Sequence, residues 1–413
     1  MTTRTLTRLP GRWRKPLGAL AAAGLLVTAG TQSTSTPSSP GAPALRHAIG
    51  GPYAALLSAS ADLGPAGADP IRLTAALHGR ARPAALIEWA RSRGLSVRWR
   101  SGANWAVIEG AATAVSAALE VAVHDYRARR GQQYYASPQQ PTVPEALRAE
   151  VAELGRILGY TPFRERTRWM LPLDVPDQGL SPQALLRTYN VEPLRDRGFT
   201  GKDTTVVVFA FDGFDQPDLD MFADGFGLRR FTPETLGGMA SQRSGEATMD
   251  LEAIHAVAPD ARTVLVNARP TVEGDGSYEK IADLMDEAAR KYPGAVWSFS
   301  IGWGCDKIVN AADLAPVRAA LVSAHRSGIT AFDASGDLAG LECKGGDNWA
   351  TPPGPDEVGL DAIASIPEMT SVGGTTVSTD ASGNWLSEQT WFDVPLSQGT
   401  GGGVSGLFDR PDW

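Results

Sequence analysis

The sequence predicts an α/β fold: a parallel sheet with helices on both faces, preceded by a smaller α+β unit. Three features carry that expectation. Residues 204–211 (TTVVVFAF), 295–301 (AVWSFSI) and 329–334 (ITAFDA) are continuous runs rich in β-branched and aromatic residues, the composition of strands buried on both faces. Stretches with helical spacing separate them, and strand and helix taking turns builds a parallel sheet. Ahead of residue 142 the pattern runs strand, helix, strand, strand, helix, strand, the split order of ferredoxin-like units.

At 413 residues the chain can hold two cores, and its 43% hydrophobic and 20% charged residues are those of an ordinary globular protein. A net charge of −8 gives no basic footprint for nucleic acid. Arg4, Arg8, Arg12, Arg14 and Lys15 precede an uncharged apolar run over residues 17–29. That run is shorter than the ~20 residues of a membrane span, so residues 1–30 read as a signal peptide and the protein as secreted (extracellular). An uncleaved anchor is the alternative. Residues 31–68 read as a disordered linker, because 31–43 (TQSTSTPSSPGAP) are almost wholly Ser, Thr and Pro.

The compact α+β unit spans 69–141. Strands are expected at 71–77, 95–100 and 105–109 and helices at 83–93 and 113–119. A hairpin, 121–126 with 132–135, closes the unit. His78 and His124 stand alone and read as structural. Residues 142–179 form a connecting segment, with a helix over 144–157 and a loose stretch carrying Arg164, Arg166 and Arg168 that invites proteolysis.

The second domain begins at 180. Helices are expected at 181–189, 219–226, 278–292 and 314–326, and a further strand at 263–267. Chemistry in such sheets lies outside the carboxyl ends of the strands, where Asp337 and Trp303-Gly304 fall. The only two cysteines, Cys305 and Cys343, also follow strands there. Two are too few for a disulfide scaffold or a cysteine zinc site. Export permits them to pair if their strands are neighbours; two free thiols are the alternative.

The stretch at 244–261 (SGEATMDLEAIHAVAPDA) organises the domain. Glu246 and Asp250 stand four apart near a helix start, which stacks them one turn apart on one face. Met249, Ile254 and Val257 are expected to form its apolar face, with His255 packed on another. On an open surface such a pair is a solvated face near the helix dipole. In a cleft it can share a proton, and the proton affinity of one member rises.

Three pieces in order complete the pattern: the Glu246/Asp250 helix ending in Ala-Pro, Ser335-Gly336-Asp337 after a buried strand, and Val372-Gly373-Gly374-Thr375 followed by Gly401-Gly402-Gly403-Val404-Ser405. Together they resemble the sedolisins, serine-carboxyl peptidases with a subtilisin-like fold, and the unit before them resembles their activation prodomain. The resemblance covers residues 71–413. It implies Glu246 as general base for a serine nucleophile, Asp250 as its hydrogen-bonded partner, and Asp337 as a protonated donor to the oxyanion. It further implies an acid-acting endopeptidase on protein or peptide substrates, monomeric, with its own prodomain as inhibitor and cleavage within 164–179. A His-based subtilisin is the competing enzyme reading, since Asp212-Gly213 follows the first buried strand. The His-Gly-Thr-His segment of that family does not occur.

One departure qualifies the resemblance. The family nucleophile lies in a Gly-Thr-Ser segment beyond the Gly-Gly-Gly-x-Ser stretch, and no Gly-Thr-Ser occurs in these 413 residues. Ser405 matches a different position. The peptidase domain, 180–413, is therefore expected to be incomplete here, with the family's calcium ligands also outside this chain. The alternative is a catalytically inactive secreted protein that binds peptides or another protein.

Overall fold

The computed structural model describes residues 47–67, 70–129, 131–161, 179–344, 354, 357–393 and 398–412. The expected signal peptide, the Ser/Thr/Pro-rich stretch and the cleavage region at 164–178 lie outside them. Residues Leu45–Trp413 form one compact unit.

The first part of that unit contains helices α1 (Gly51–Ser58), α2 (Ala84–Arg91) and α3 (Ala112–Leu119). Its strands are β1 (Ala61–Pro65), β2 (Pro70–Leu77), β3 (Ser96–Arg98), β4 (Trp105–Ala111), β5 (His124–Arg127), β6 (Gln133–Ala136) and β7 (Val151–Leu154). Four of them make an antiparallel sheet in the order β3-β4-β2-β7. Strand β2 buries Ile71, Leu73, Ala75 and Leu77 on alternate positions, and α2 covers that face with Leu86, Trp89 and Ala90.

Two expectations are corrected here. The linker reading of 31–68 fails over α1 and β1, because Tyr53 is fully buried and β1 pairs with β5. The helix expected over 144–157 is a single 3-10 turn, Glu145–Leu147, followed by β7. Leu147, Val151, Leu154 and Ile157 are all buried, so the apolar spacing was informative about burial. The free edge of β2 decides the conformation, because its backbone groups need partners that a strand supplies and a helix cannot. The fourth strand of the split order is thus β7, and the expected closing hairpin, β5–β6, instead joins β1 in a separate sheet.

The second part contains helices α4 (Pro182–Thr188), α5 (Glu192–Asp196), α6 (Gln216–Phe226), α7 (Glu246–Val257), α8 (Ser277–Lys291) and α9 (Ala315–Arg326). Strands β8 (Thr205–Ala210), β9 (Glu234–Leu236), β10 (Arg262–Asn267), β11 (Val296–Phe299), β12 (Thr330–Ala334) and β13 (Thr370–Val372) form one parallel sheet. Its order is β13-β12-β11-β8-β10-β9. Val207, Phe209, Val264, Val266, Trp297 and Phe299 face α8 and α9, while Val208, Ala210 and Leu265 face α6 and α7. From β8 the chain runs to the sheet edge at β9, returns to β10 beside β8 and then crosses to β11, so β8 and β11 flank a topological switch point. Two hairpins follow, β14 (Thr375–Thr379) with β15 (Trp385–Thr390), and β16 (Phe392–Asp393) with β17 (Gln398–Gly399).

The ferredoxin-like sheet docks on the start of α8. Arg98 forks onto Glu279, Arg100 reaches Asp283 at 2.7 Å, and Arg72 and the Tyr135 hydroxyl both engage Asp275, at 3.1 and 3.2 Å. Behind them Asp313 accepts the Arg156 amide at 3.0 Å, and a Cβ at Gly155 would meet its carboxylate at 2.2 Å. Burial pushes the Asp313 carboxyl up to about 6.

Candidate active site

Helix α7 begins in a turn that only glycine adopts easily, Gly245 having φ +97°. Its cap comes from another element. Asp212, two residues past β8 and 5% exposed, accepts the Ala247 amide at 3.1 Å on one oxygen. Its other oxygen takes the Ser244 amide at 3.1 Å and the Ser244 hydroxyl at 2.5 Å. A carboxylate bonded this way satisfies the orphan amides of the helix start and suits its dipole. Asp212 therefore anchors the carboxylate helix to the switch point.

The face of α7 turned to the sheet is Ala247, Leu251, His255 and Ala256. The apolar face expected from Met249, Ile254 and Val257 is corrected: Met249 and Val257 are 56% and 39% exposed, and only Ile254 packs on the core. Positions 247, 251 and 255 repeat every four residues, and small Ala247 lets the helix approach β8 closely. His255 stacks on Phe231 at 3.9 Å, and its Nε2 lies 2.7 Å from the Arg229 carbonyl. Burial lowers its proton affinity, so it is a packing residue.

Glu246 lies in the first turn of α7, partly exposed, with Asp250 one turn further in. The Ser300 hydroxyl, directly after β11, donates to Asp250 Oδ1 at 3.0 Å. Oδ2 is buried with no hydrogen-bond partner among the described residues. Burial, then the charge of Glu246, push the Asp250 carboxyl up to about 7, the Ser300 bond opposing them and the charge of Asp212 adding a little. The pair thus sits in an environment that favours holding one proton.

Asp337 lies one strand over, in the loop after β12, where Gly336 has φ +112°. That loop is laced on both sides. The Ser335 amide donates to the Val372 carbonyl at 2.9 Å, the Gly401 amide to Gly336 at 2.6 Å, and the Gly399 amide to the Asp337 carbonyl at 3.0 Å. A Cβ at Gly401 would stand 2.1 Å from the Ser335 carbonyl oxygen, so no side chain fits there. Thr400 Oγ1 also accepts the Gly374 amide at 2.7 Å. The Ser-Gly-Asp, Val-Gly-Gly-Thr and Gly-Gly-Gly segments, separate in sequence, therefore meet at one place. Ser405 only receives the Leu407 amide in a local turn, at 3.1 Å.

Buried Asp361 is a site residue that sequence reasoning missed. Its carboxylate accepts the Trp303 and Gly304 amides at 2.6 and 2.9 Å and the Ile363 amide at 3.0 Å, fixing the loop after β11. Burial, with help from Glu342, pushes it up to about 7. A carboxylate in a loop of no clear pattern gave no signal of this role.

Cys305 and Cys343 form a disulfide, Cα–Cα 4.6 Å, that ties the loops following the neighbouring strands β11 and β12. With the two cysteines 38 positions apart, reduction is expected to destabilise the chain by up to about 4 kcal/mol. A denaturant midpoint unchanged by reductant would contradict this. The one cluster of metal-binding side chains found among the described residues is Cys305, Asp306 and Cys343, whose sulfurs are bonded to each other. No helix among those residues is long and apolar enough to cross a membrane.

Residues 78–154 match the pro-kumamolisin activation domain. The chain is 28% identical over 229 residues to sedolisin of Pseudomonas sp. (strain 101), covering 52% of this chain and 38% of that protein. It is 26% identical over 360 residues to kumamolisin of Bacillus sp. (strain MN-32), covering 82% and 62%. A solved Pseudomonas sedolisin, a serine-carboxyl proteinase complexed with pseudo-iodotyrostatin, aligns at TM-score 0.47 and 24% identity over 57% of this chain and 65% of that one. The chain spans 38% and 62% of the length of these two curated relatives. Its similarity is thus to sedolisin-type proteins, and residues 78–154 match their pro-kumamolisin activation domain.

Proposed function

We propose that the chain belongs to a secreted, acid-acting serine-type endopeptidase made as a zymogen. Glu246 takes the proton of a serine nucleophile, Asp250 holds Glu246 through a shared proton, and Asp337, protonated, donates to the oxyanion of the tetrahedral intermediate. The observation that carries this reading is Asp250 itself. It is buried beside Glu246 at the switch point, held by Ser300, and pushed up to about 7. A base of carboxylate type stays ionised at a pH where a histidine would be protonated. The serine is proposed to come from a Gly-Thr-Ser segment that these 413 residues do not contain, and bound calcium to have its ligands there too.

Residues 47–161 are proposed to inhibit the enzyme until cleavage in the segment at 164–179. The substrates are proteins or peptides, the enzyme acts as a monomer, and nucleic acid has no part. One other reading is a non-catalytic peptide-binding protein. Digestion of denatured protein near pH 4, by protein expressed from the whole reading frame, separates them. Turnover that falls about 10²–10³-fold in Asp337→Ala supports the peptidase. Peptide binding with no turnover supports the second reading.

A further inference from the structure

The Asp337 loop is built around a second carboxylate that the resemblance does not assign. A Cβ at Gly336 would lie 2.2 Å from Glu342 Oε1 and 2.8 Å from its Cδ, so the Glu342 carboxyl group fills the space where a side chain at 336 would stand. The same Oε1 accepts the Leu338 amide at 3.2 Å. Glu342 thus touches the residues immediately before and after Asp337.

Its own position is fixed from behind. Cys343 is bridged to Cys305, the Leu341 amide donates to the Leu338 carbonyl at 2.9 Å, and the Gly359 amide donates to Gly340 at 3.0 Å. Asp361 lies close enough for Glu342 to raise its proton affinity, Asp306 Oδ1 lies beside Cys343 at Gly359, and Lys344 pairs with Glu357 at 3.7 Å. Asp361 in turn holds Trp303 and Gly304, so the two loops at the active edge meet through Glu342 and Asp361.

We propose that Glu342 is a positioning residue for Asp337, its carboxylate occupying the space that Gly336 leaves and fixing the backbone on either side of the acid. The proposal rests on Asp337 being the oxyanion donor. Two properties follow. The brace sets where the Asp337 carboxyl points, and the single Glu342 carboxylate beside it disfavours ionisation of Asp337, the direction its donor role needs.

The test uses the 413-residue chain and needs no turnover. Carboxyl-carbon NMR follows Asp337, identified as the signal lost in Asp337→Asn. In Glu342→Gln, which keeps an acceptor for the Leu338 amide, the pH midpoint of that signal is expected to fall by about 0.5 unit or more. In Glu342→Ala, hydrogen exchange at the Leu338 amide is expected to rise at least about tenfold. A midpoint unmoved in Glu342→Gln overturns the inference, and it does so even if the alanine variant fails to fold. Unchanged exchange at Leu338 in a folded Glu342→Ala overturns the brace. The parent reading fails separately, by full activity of Asp337→Ala.

Discussion

Thermal unfolding between pH 4 and pH 8 is expected to give a midpoint at least about 5 °C higher at the acid end. Four buried carboxyl groups set the sign. Asp250 and Asp361 are pushed up to about 7 and Asp313 to about 6, each chiefly by burial. Asp333 is 1% exposed on β12, its carboxylate offset by little beyond the Ala334 amide, and burial raises it well above the usual range. Unfolded, such groups titrate near ~3.9. Between that value and their folded values the native state binds more protons, so stability falls as pH rises. The contribution is full below about pH 4 and is lost as pH passes through 6 to 7 and above. Several carboxyls shift the other way, among them Asp224, Glu234 and Asp260, but they lie on the surface, where ion pairs contribute little. Asp333→Asn removes one ionisation without changing shape. It should unfold near the parent at pH 4 and lose markedly less by pH 8. Parallel curves for the two proteins would remove Asp333 from the account.

The parts of the fold that were legible in the sequence are those where local pattern and tertiary need agree. The runs around Val206, Trp297 and Ala331 could only be buried strands, and they are the centre of the sheet. The four-residue spacing of Glu246 and Asp250 fixed their common face without reference to anything distant. What could not be read depends on partners far along the chain. Val151–Leu154 has helical spacing and becomes a strand because β2 has an open edge. Short strands such as Glu234–Leu236 and Thr370–Val372 carry too few residues for any period to show. Asp212 looked like a catalytic aspartate, and only the fold reveals that it caps a helix 35 residues away. Glu342 and Asp361 act on backbone amides, and recognition of amides leaves no motif.

Replacing Glu246 by Gln in protein expressed from the whole reading frame is expected to abolish release of the N-terminal domain at pH 4. Peptide turnover should fall by about 10²–10⁴-fold, the range for loss of a general base. The prediction follows from the asymmetry of the pair. Asp250 is the deeper member, bonded to Ser300 on one oxygen, with the other buried, and its raised proton affinity makes it the carrier of the shared proton at acid pH. On the proposed reading Glu246, in the first turn and partly exposed, is the ionised member of the pair. Gln keeps its size and its contacts but cannot accept a proton. Asp250→Asn should be milder, because its amide can still donate to Glu246 while losing only the tuning of the pair. Its signature is a narrowed pH profile with the N-terminal domain still released. If Glu246→Gln is processed at the normal rate, Glu246 is not the base. If Asp250→Asn proves the more damaging of the two, the roles within the pair are reversed.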